Sequence, residues 1–151
     1  MSNVVKLKRS NVADKVPIVS DLVAGELAVN TATPAIYFGT GSDIVQIATT
    51  HEFSLTTTTT ASNQVLDTFL VASFRSAQYS IQLASGTSYQ MLNINVLHDD
   101  SAPYILPYGS ITTGSALATF DVSIAAGVLS LTLTPTNAAT VIKGLRSTIR
   151  V

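Results

Sequence analysis

The clearest structural signal in this sequence is SAQYSIQLASGTSYQMLNINVLH, residues 76–98. Apolar and polar residues alternate in each half of it, and alternation with a period of two predicts a half-buried β-strand. The Ser85–Ser88 segment between the halves predicts the turn of a β-hairpin. The side chains expected to face the core are Tyr79, Ile81 and Leu83 in the first half, and Leu92, Ile94 and Val96 in the second.

Further strands are predicted on both sides of this hairpin, about one every ten residues and separated by turn residues. They cover residues 65–71, 104–108, 119–124, 128–134 and 140–151. This spacing is typical of an antiparallel β-sandwich, here expected to be jelly-roll-like. The prolines at 103 and 107 favour an edge position for the 104–108 strand, and no segment keeps a helical period over three turns. The predicted fold class is all-β.

The first 50 residues predict a separate small β module. Its short strands are expected over 4–9, 26–30, 35–38 and 43–48, with Leu27 and Val29 facing inward. A piece of this size rarely builds an independent core, so a partner is expected to stabilise it.

An unbroken threonine run, Thr56–Thr60, follows this module and is read as a linker or a solvated edge strand. The predicted organisation is an N-terminal β module over 1–50, a Thr-rich linker over 51–61 and a β-sandwich over 62–151.

Composition narrows the function classes. The chain is 46% hydrophobic and 11% charged, against about 25% charged in typical soluble domains. Six of the eight basic residues form two small groups near the ends, and the net charge is −1, which argues against a nucleic-acid partner. The absence of cysteine excludes disulfides and thiol chemistry. Neither a signal peptide nor a membrane-length apolar run is evident, so we expect synthesis in a cytoplasm and no membrane insertion.

The cluster most suggestive of chemistry is His98-Asp99-Asp100. Adjacent strand residues point to opposite faces, so these side chains are not expected to converge on one metal or substrate. An Asp-rich turn is favoured, with a divalent-cation contact as the weaker alternative. Since the sequence shows no catalytic triad, acid pair or phosphate loop, we predict no enzymatic activity, cofactor or metal site.

Two further residue sets invite a functional interpretation. Glu26 is expected to form a salt bridge with Lys6, Lys8 or Arg9, and contact with a partner protein is the alternative. Tyr104 and Tyr108 form a candidate ligand-facing edge that could stack against sugars, or else they are half-buried or subunit contacts.

The segment Lys6–Gly39 carries a pattern that extends beyond its strands. It runs from a basic strand through Arg9-Ser10, a proline loop and Leu22 to Gly25-Glu26-Leu27-Ala28-Val29-Asn30, and ends at Tyr37 and Gly39. This pattern resembles the N-terminal module of tailed-bacteriophage virion appendage proteins, such as tail fibres and tropism determinants. The chain departs from it after Asn30, where Thr31–Pro34 replaces an Asp-containing turn. The later part resembles a β domain of virion proteins from marine and cyanobacterial phages.

The resemblance implies a non-enzymatic virion component that is homotrimeric, with a β-prism-like N-terminal module in the oligomer. Its expected partners are further copies of itself and other virion proteins: capsid, portal-proximal or tail proteins. It would be a capsid decoration protein, a short fibre or a tail adaptor. The alternative is a receptor- or glycan-binding module of a tail fibre, with a host surface glycan at Tyr104 and Tyr108. The residues expected at the subunit or virion interface are Lys6, Leu7, Arg9, Glu26, Leu27, Val29, Ile36 and Tyr37.

Overall fold

A computed structural model describes residues 6–13, 15–32, 34–47 and 50–151. Its regular structure is almost entirely β, which confirms the predicted fold class. The chain divides into two compact units, residues 1–49 and 50–151, called here the N-terminal and C-terminal units.

The N-terminal unit is a four-stranded sheet in the order β1-β2-β3-β4. Strand β1 runs parallel to β2, and the other pairs are antiparallel. A single 3-10 turn, Val19–Asp21, lies in the connection from β1 to β2. The start of the strand predicted over 4–9 lies outside the described residues. The strands are β1 (Lys8–Ser10), β2 (Leu27–Asn30), β3 (Ala35–Gly39) and β4 (Ile44–Ile47).

One face of this sheet packs into a small core of Leu22, Ala28, Ala35 and Tyr37. The expectation that Leu27 and Val29 face inward is wrong, because Leu27 is 38% exposed and Ala28 only 7%. Alternation points to the wrong face here, because Leu27 and Val29 share the outward parity while the buried parity carries Ala28 and the polar Asn30. Side-chain size explains the choice: Tyr37 fills the core, and the small Ala28 directly opposite leaves room for its ring.

The C-terminal unit contains two sheets. The smaller has the order β10-β11-β6 and the larger β5-β12-β7-β8-β9. All their pairings are antiparallel. The strands are β5 (His51–Thr56), β6 (Gln64–Leu70), β7 (Phe74–Ser85), β8 (Ser88–His98), β9 (Pro103–Thr112), β10 (Ala118–Ala125), β11 (Val128–Pro135) and β12 (Val141–Arg150).

The two sheets pack face to face around one apolar core, so the β-sandwich is confirmed. The β7–β8 hairpin forms as predicted, with Ser85 opposite Ser88. Strand β9 occupies an edge of the larger sheet, as its prolines predicted. All six side chains expected to face inward from this hairpin are buried: Tyr79, Ile81, Leu83, Leu92, Ile94 and Val96.

The segment predicted as a linker over 51–61 takes a different form at its start. Residues 51–56 are strand β5, which pairs with β12 at the other edge of the larger sheet. Thr57 continues this order: its N–H donates to the Thr140 carbonyl at 2.9 Å, and its hydroxyl accepts from the Thr140 N–H at 3.1 Å. Threonine's preference for extended backbone suits this edge, where β5 covers the open side of β12.

A buried ion pair joins the two sheets. The Asp67 carboxylate on β6 lies 2.6 Å from the Arg146 guanidinium on β12, and both side chains are nearly buried. The guanidinium also donates to the Thr68 carbonyl at 2.9 Å and lies 5.5 Å from the centre of the Phe69 ring. Beside it, burial and then the charge of Asp67 raise the pKa of Tyr79. This polar cluster fixes how one sheet lies on the other.

Asp67→Asn tests this ion pair. It leaves the Arg146 charge nearly buried without a counter-charge, and breaking such a pair typically costs about 3–5 kcal/mol. We expect a loss of that size in the free energy of unfolding of the full chain, measured by urea denaturation. The double variant Asp67→Leu with Arg146→Met removes both charges and should recover most of the loss. An unchanged urea midpoint for Asp67→Asn would show that the pair has no structural role.

Candidate functional site

The Gly25–Asn30 block builds a corner of the N-terminal unit. Gly25 has a φ of +82°, a conformation that glycine adopts without strain. Its N–H donates to the Gly39 carbonyl at 2.8 Å, and the Gly39 N–H donates to the Glu26 carbonyl at 3.0 Å. A Cβ at Gly39 would lie 2.6 Å from the Val23 carbonyl oxygen, so this close approach requires glycine.

Glu26 ties the corner to the first strand. Its carboxylate accepts hydrogen bonds from Lys8 Nζ at 2.8 Å and from the Val23 N–H at 3.1 Å. The hydrogen bond from Lys8 is the largest of the effects that lower the pKa of Glu26. The predicted salt bridge is thus confirmed, with Lys8 as the partner.

Asn30 ends the block and is 4% exposed. Its Nδ2 donates to the Val12 carbonyl at 2.9 Å and the Lys15 carbonyl at 3.0 Å, and its Oδ1 accepts from the Ala32 N–H at 3.0 Å. One side chain therefore holds the connection from β1 at two points. Gly25, Glu26 and Asn30 of this block therefore have structural roles. They leave the other face of the sheet open.

That open face is apolar. Leu27 lies opposite Phe38, which lies opposite Val45; in the next row Val29, Ile36 and Ile47 are paired in the same way. Four of these residues are 38–44% exposed, and the other two are half-buried. We call this surface the apolar face; its members are Leu27, Val29, Ile36, Phe38, Val45 and Ile47.

The eight residues expected at an interface divide in the structure. Leu27, Val29 and Ile36 lie on the apolar face, and Arg9 lies opposite Val29 in β1. Tyr37, at 3% exposure, belongs to the unit's own core, because its parity along β3 is that of Ala35. The Glu26 carboxylate forms an ion pair with Lys8, while the side chains of Lys6 and Leu7 are exposed. Sequence reasoning missed Phe38, Val45 and Ile47, although an apolar residue at every second position of β3 and β4 was the signal.

The His98-Asp99-Asp100 cluster is structural. His98 is 1% exposed, with Nε2 2.6 Å from the Phe74 carbonyl oxygen and Nδ1 accepting from the Asp100 N–H at 3.1 Å. These partners assign the proton to Nε2. The Asp100 carboxylate pairs with both terminal nitrogens of Arg75, at 3.1 and 3.3 Å. Both side chains therefore have partners within the fold.

Asp99 organises the turn, as the favoured interpretation expected. Its Oδ1 accepts from the Ala102 N–H at 2.7 Å and from both the N–H and the hydroxyl of Ser101. These hydrogen bonds, that of Ala102 foremost, lower the pKa of Asp99. Its Oδ2 accepts from the Tyr104 hydroxyl at 3.1 Å, which raises the pKa of Tyr104.

Tyr104 and Tyr108 both lie on the outer face of edge strand β9, 56% and 38% exposed. The Tyr104 hydroxyl is held by Asp99, and the Tyr108 hydroxyl accepts from Gln78 Nε2 at 2.9 Å. Leu106 stands between them in the strand and is 60% exposed. The predicted edge is therefore part of a broader outer sheet surface.

Within the described ranges, no group of three or more His, Asp or Glu side chains is placed to hold a metal ion. Nor does any helix in that part of the chain have the length and apolar character needed to cross a membrane.

Comparisons with known proteins return little. No protein-family model matches the chain, and no curated protein matches it in sequence. Among solved structures, the chain has a likeness to the Acinetobacter phage vB_ApiP_P1 tailspike protein at 16% identity and a TM-score of 0.43. The likeness covers 80% of this chain but only 31% of the tailspike chain.

The Lys8–Glu26 bridge predicts an acid-sensitive N-terminal unit. The pKa of Glu26 is lower in the folded than in the unfolded state. Its stabilisation is therefore fully present above the unfolded value of about 4.3 and is lost as pH falls through the folded value. We expect protection of the Gly25 and Gly39 amides against hydrogen exchange, corrected for intrinsic rates, to fall with acidification below about pH 4. Glu26→Gln should flatten this dependence, and Asp43→Asn should keep it. Equal profiles in wild type and Glu26→Gln would contradict the assignment.

Proposed function

We propose that this chain is a non-enzymatic structural protein of a tailed-bacteriophage virion, and that it assembles as a homotrimer through the apolar face of its N-terminal unit. The virion role rests on the resemblance carried by Lys6–Gly39. The proposed self-association is supported mainly by the exposed apolar face of the N-terminal unit.

The apolar face has the character of a contact surface. It holds six apolar side chains in two register-matched rows, and none of the six is charged. Contiguous exposed apolar patches on soluble proteins commonly mark interaction sites. Fully burying one Leu or Ile side chain contributes about 1.5–3 kcal/mol, so covering several partly exposed ones would strongly favour assembly.

Three copies suit this sheet for a second reason. Among the described residues, strands β1 and β4 are its edges, three and four residues long, and the unit's own core has four buried residues. A small sheet with open edges gains stability when copies cover one another. A closed ring around a threefold axis would bring the three apolar faces together and leave no open-ended contact.

The motif and the face have different roles in this proposal. Gly25, Glu26 and Asn30 shape and hold the module, while Leu27, Ile36 and their neighbours carry assembly. Because strand residues alternate, the Gly-Glu-Leu-Ala-Val-Asn block serves both roles at once.

The non-enzymatic assignment is supported by how the charged groups are used. Glu26 pairs with Lys8, Asp67 with Arg146 and Asp100 with Arg75. Asp99 is committed to its turn. A general acid or base needs a side chain directed at a substrate, and these carboxylates are directed at the fold.

Within the particle, the protein would be a capsid decoration protein, a short fibre or a tail adaptor that meets capsid, portal-proximal or tail proteins. These positions differ in stoichiometry, with hundreds of copies for decoration and far fewer for the others. Assembly takes place in the cytoplasm of the bacterial host. Quantitative mass spectrometry of purified particles, with copy number measured relative to the major capsid protein, distinguishes these positions.

Light scattering on a sizing column tests the trimer. We expect a mass of three times the 15.8 kDa chain for the wild type and one chain mass for Leu27→Asp, because a carboxylate enclosed in an apolar contact loses its hydration without a partner.

Two further variants make this test specific. Val12→Asp, at an exposed apolar residue away from the apolar face, should remain trimeric. The double variant Ile36→Thr with Ile47→Thr changes two residues that lie opposite each other in the sheet. It keeps β-branching at both positions and should weaken the trimer by at least tenfold. A monomeric wild type, or a trimeric Leu27→Asp with native circular dichroism, would overturn the proposal.

A further inference from the structure

The outer face of the five-stranded sheet carries a second surface with a different chemistry. Strand β7 lies at its centre and buries Tyr79 and Ile81, so Ser76 and Gln78 point outward. The register aligns the neighbouring strands into two rows. One row reads Ser147–Gln78–Asn95–Leu106 and the next Ile149–Ser76–Leu97–Tyr104.

These two rows line a cleft of about 460 Å³, which we call the trough. Its volume falls in the range of about 300–1,000 Å³ that is usual for small-molecule sites. It crosses four strands, a width of about 14 Å at the normal strand spacing. The size suits an elongated ligand of several units better than a single small molecule.

The trough has a polar floor and an apolar rim. Gln78, Asn95 and Ser147 supply amide and hydroxyl groups in the floor. Ile149 on one side and Leu106 on the other stand 70% and 60% exposed above it. Leu97 and Tyr104, 51% and 56% exposed, extend the rim along β8 and β9.

Charge defines the ligand further. No residue that lines the trough carries a charge, so a charged ligand would lose hydration without an opposing group. The neighbouring cleft on the same sheet differs, since Glu52 and Lys143 line it. The trough therefore selects for an uncharged partner.

The polar groups are positioned in advance. The phenol of Tyr104 is fixed by Asp99, itself held by three hydrogen bonds from Ser101 and Ala102. Gln78 Nε2 is oriented by Tyr108. A rigid sheet that presents oriented groups loses little conformational entropy when it binds.

We propose that the trough binds an uncharged oligosaccharide. Sugar hydroxyls both donate and accept, which matches the amides of Gln78 and Asn95 and the hydroxyl of Ser147. The C–H faces of sugar rings are apolar and suit Tyr104 and the aliphatic rim. This role goes beyond assembly and resides in the C-terminal unit alone.

A protein partner fits the trough less well. Protein interfaces concentrate apolar side chains in a central core and leave polar ones at the rim. The trough has nearly the reverse order: Ser76, Gln78 and Asn95 lie on the two central strands, and exposed apolar side chains flank them on the outer strands. A second copy of the chain therefore remains an outcome of the test rather than the proposal.

Binding by the full-length chain is tested first on an array of neutral hexose oligosaccharides printed beside matched uronic-acid and sialylated glycans. We expect retention on uncharged glycans and not on their charged counterparts. The best glycan is then titrated calorimetrically. Asn95→Ala and Tyr104→Ala should each weaken the affinity at least tenfold.

Matched controls lie on the same sheet face. Tyr89, 51% exposed, is eight residues from Leu97 along β8, about 26 Å away. Tyr89→Ala and Gln82→Ala should leave the affinity within twofold. Leu27→Asp should keep the per-chain affinity and lose only avidity, which separates failure of the trough from failure of the trimer.

Three results would overturn the proposal. The first is silence toward every uncharged glycan on the array. The second is an equal loss of affinity in Tyr104→Ala and Tyr89→Ala. The third is a lower oligomer mass for Tyr104→Ala by light scattering, which would assign the trough to a contact between copies.

Discussion

Strand β7 lies at the centre of the larger sheet, and its pleat determines which side chains lie on each face of that sheet. Tyr79, Ile81 and Leu83 are almost fully buried on one side, so Ser76 and Gln78 must point outward on the other. The neighbouring strands follow its register, because a shift of one residue would turn every core side chain out to solvent. The sandwich core and the outer trough are therefore two consequences of one alternation.

The same constraint acts in the N-terminal unit with the opposite result. Ala28 and Tyr37 share the buried face, which turns Leu27 and Ile36 outward. Here the outward residues are apolar too, so the sheet has two apolar faces and only one is covered within its own unit. The outer face of the larger C-terminal sheet instead carries polar side chains on its central strand, Ser76 and Gln78, which water can hydrate. This difference separates a surface suited to permanent burial from one suited to an exchangeable ligand.

Where the sequence predicted the structure well, one parity of a strand was clearly apolar. The β7–β8 hairpin, its inward residues and the edge position of β9 followed from alternation and proline placement alone. Prediction failed along β2, where the more apolar parity turned outward: Ala28 rather than Leu27 lies inward, opposite the ring of Tyr37 on the next strand. It failed again at residues 51–56, because the pairing of β5 with β12 joins positions about 90 residues apart, which local pattern does not reveal. The sequence analysis identified part of each candidate surface, such as Leu27 and Ile36 on the apolar face and Tyr104 in the trough. The rows that make these surfaces continuous come from strand register.

The low charge content of the chain has a structural explanation in these surfaces. Of its few charged groups, Asp67 and Arg146 serve to join the sheets, and Lys8 and Glu26 serve to close a corner. Charges placed on the apolar face or in the trough would oppose the contacts proposed for these surfaces, because a charge that is covered without a partner loses its hydration. The low content of charged residues thus agrees with the presence of two large neutral surfaces on a small chain.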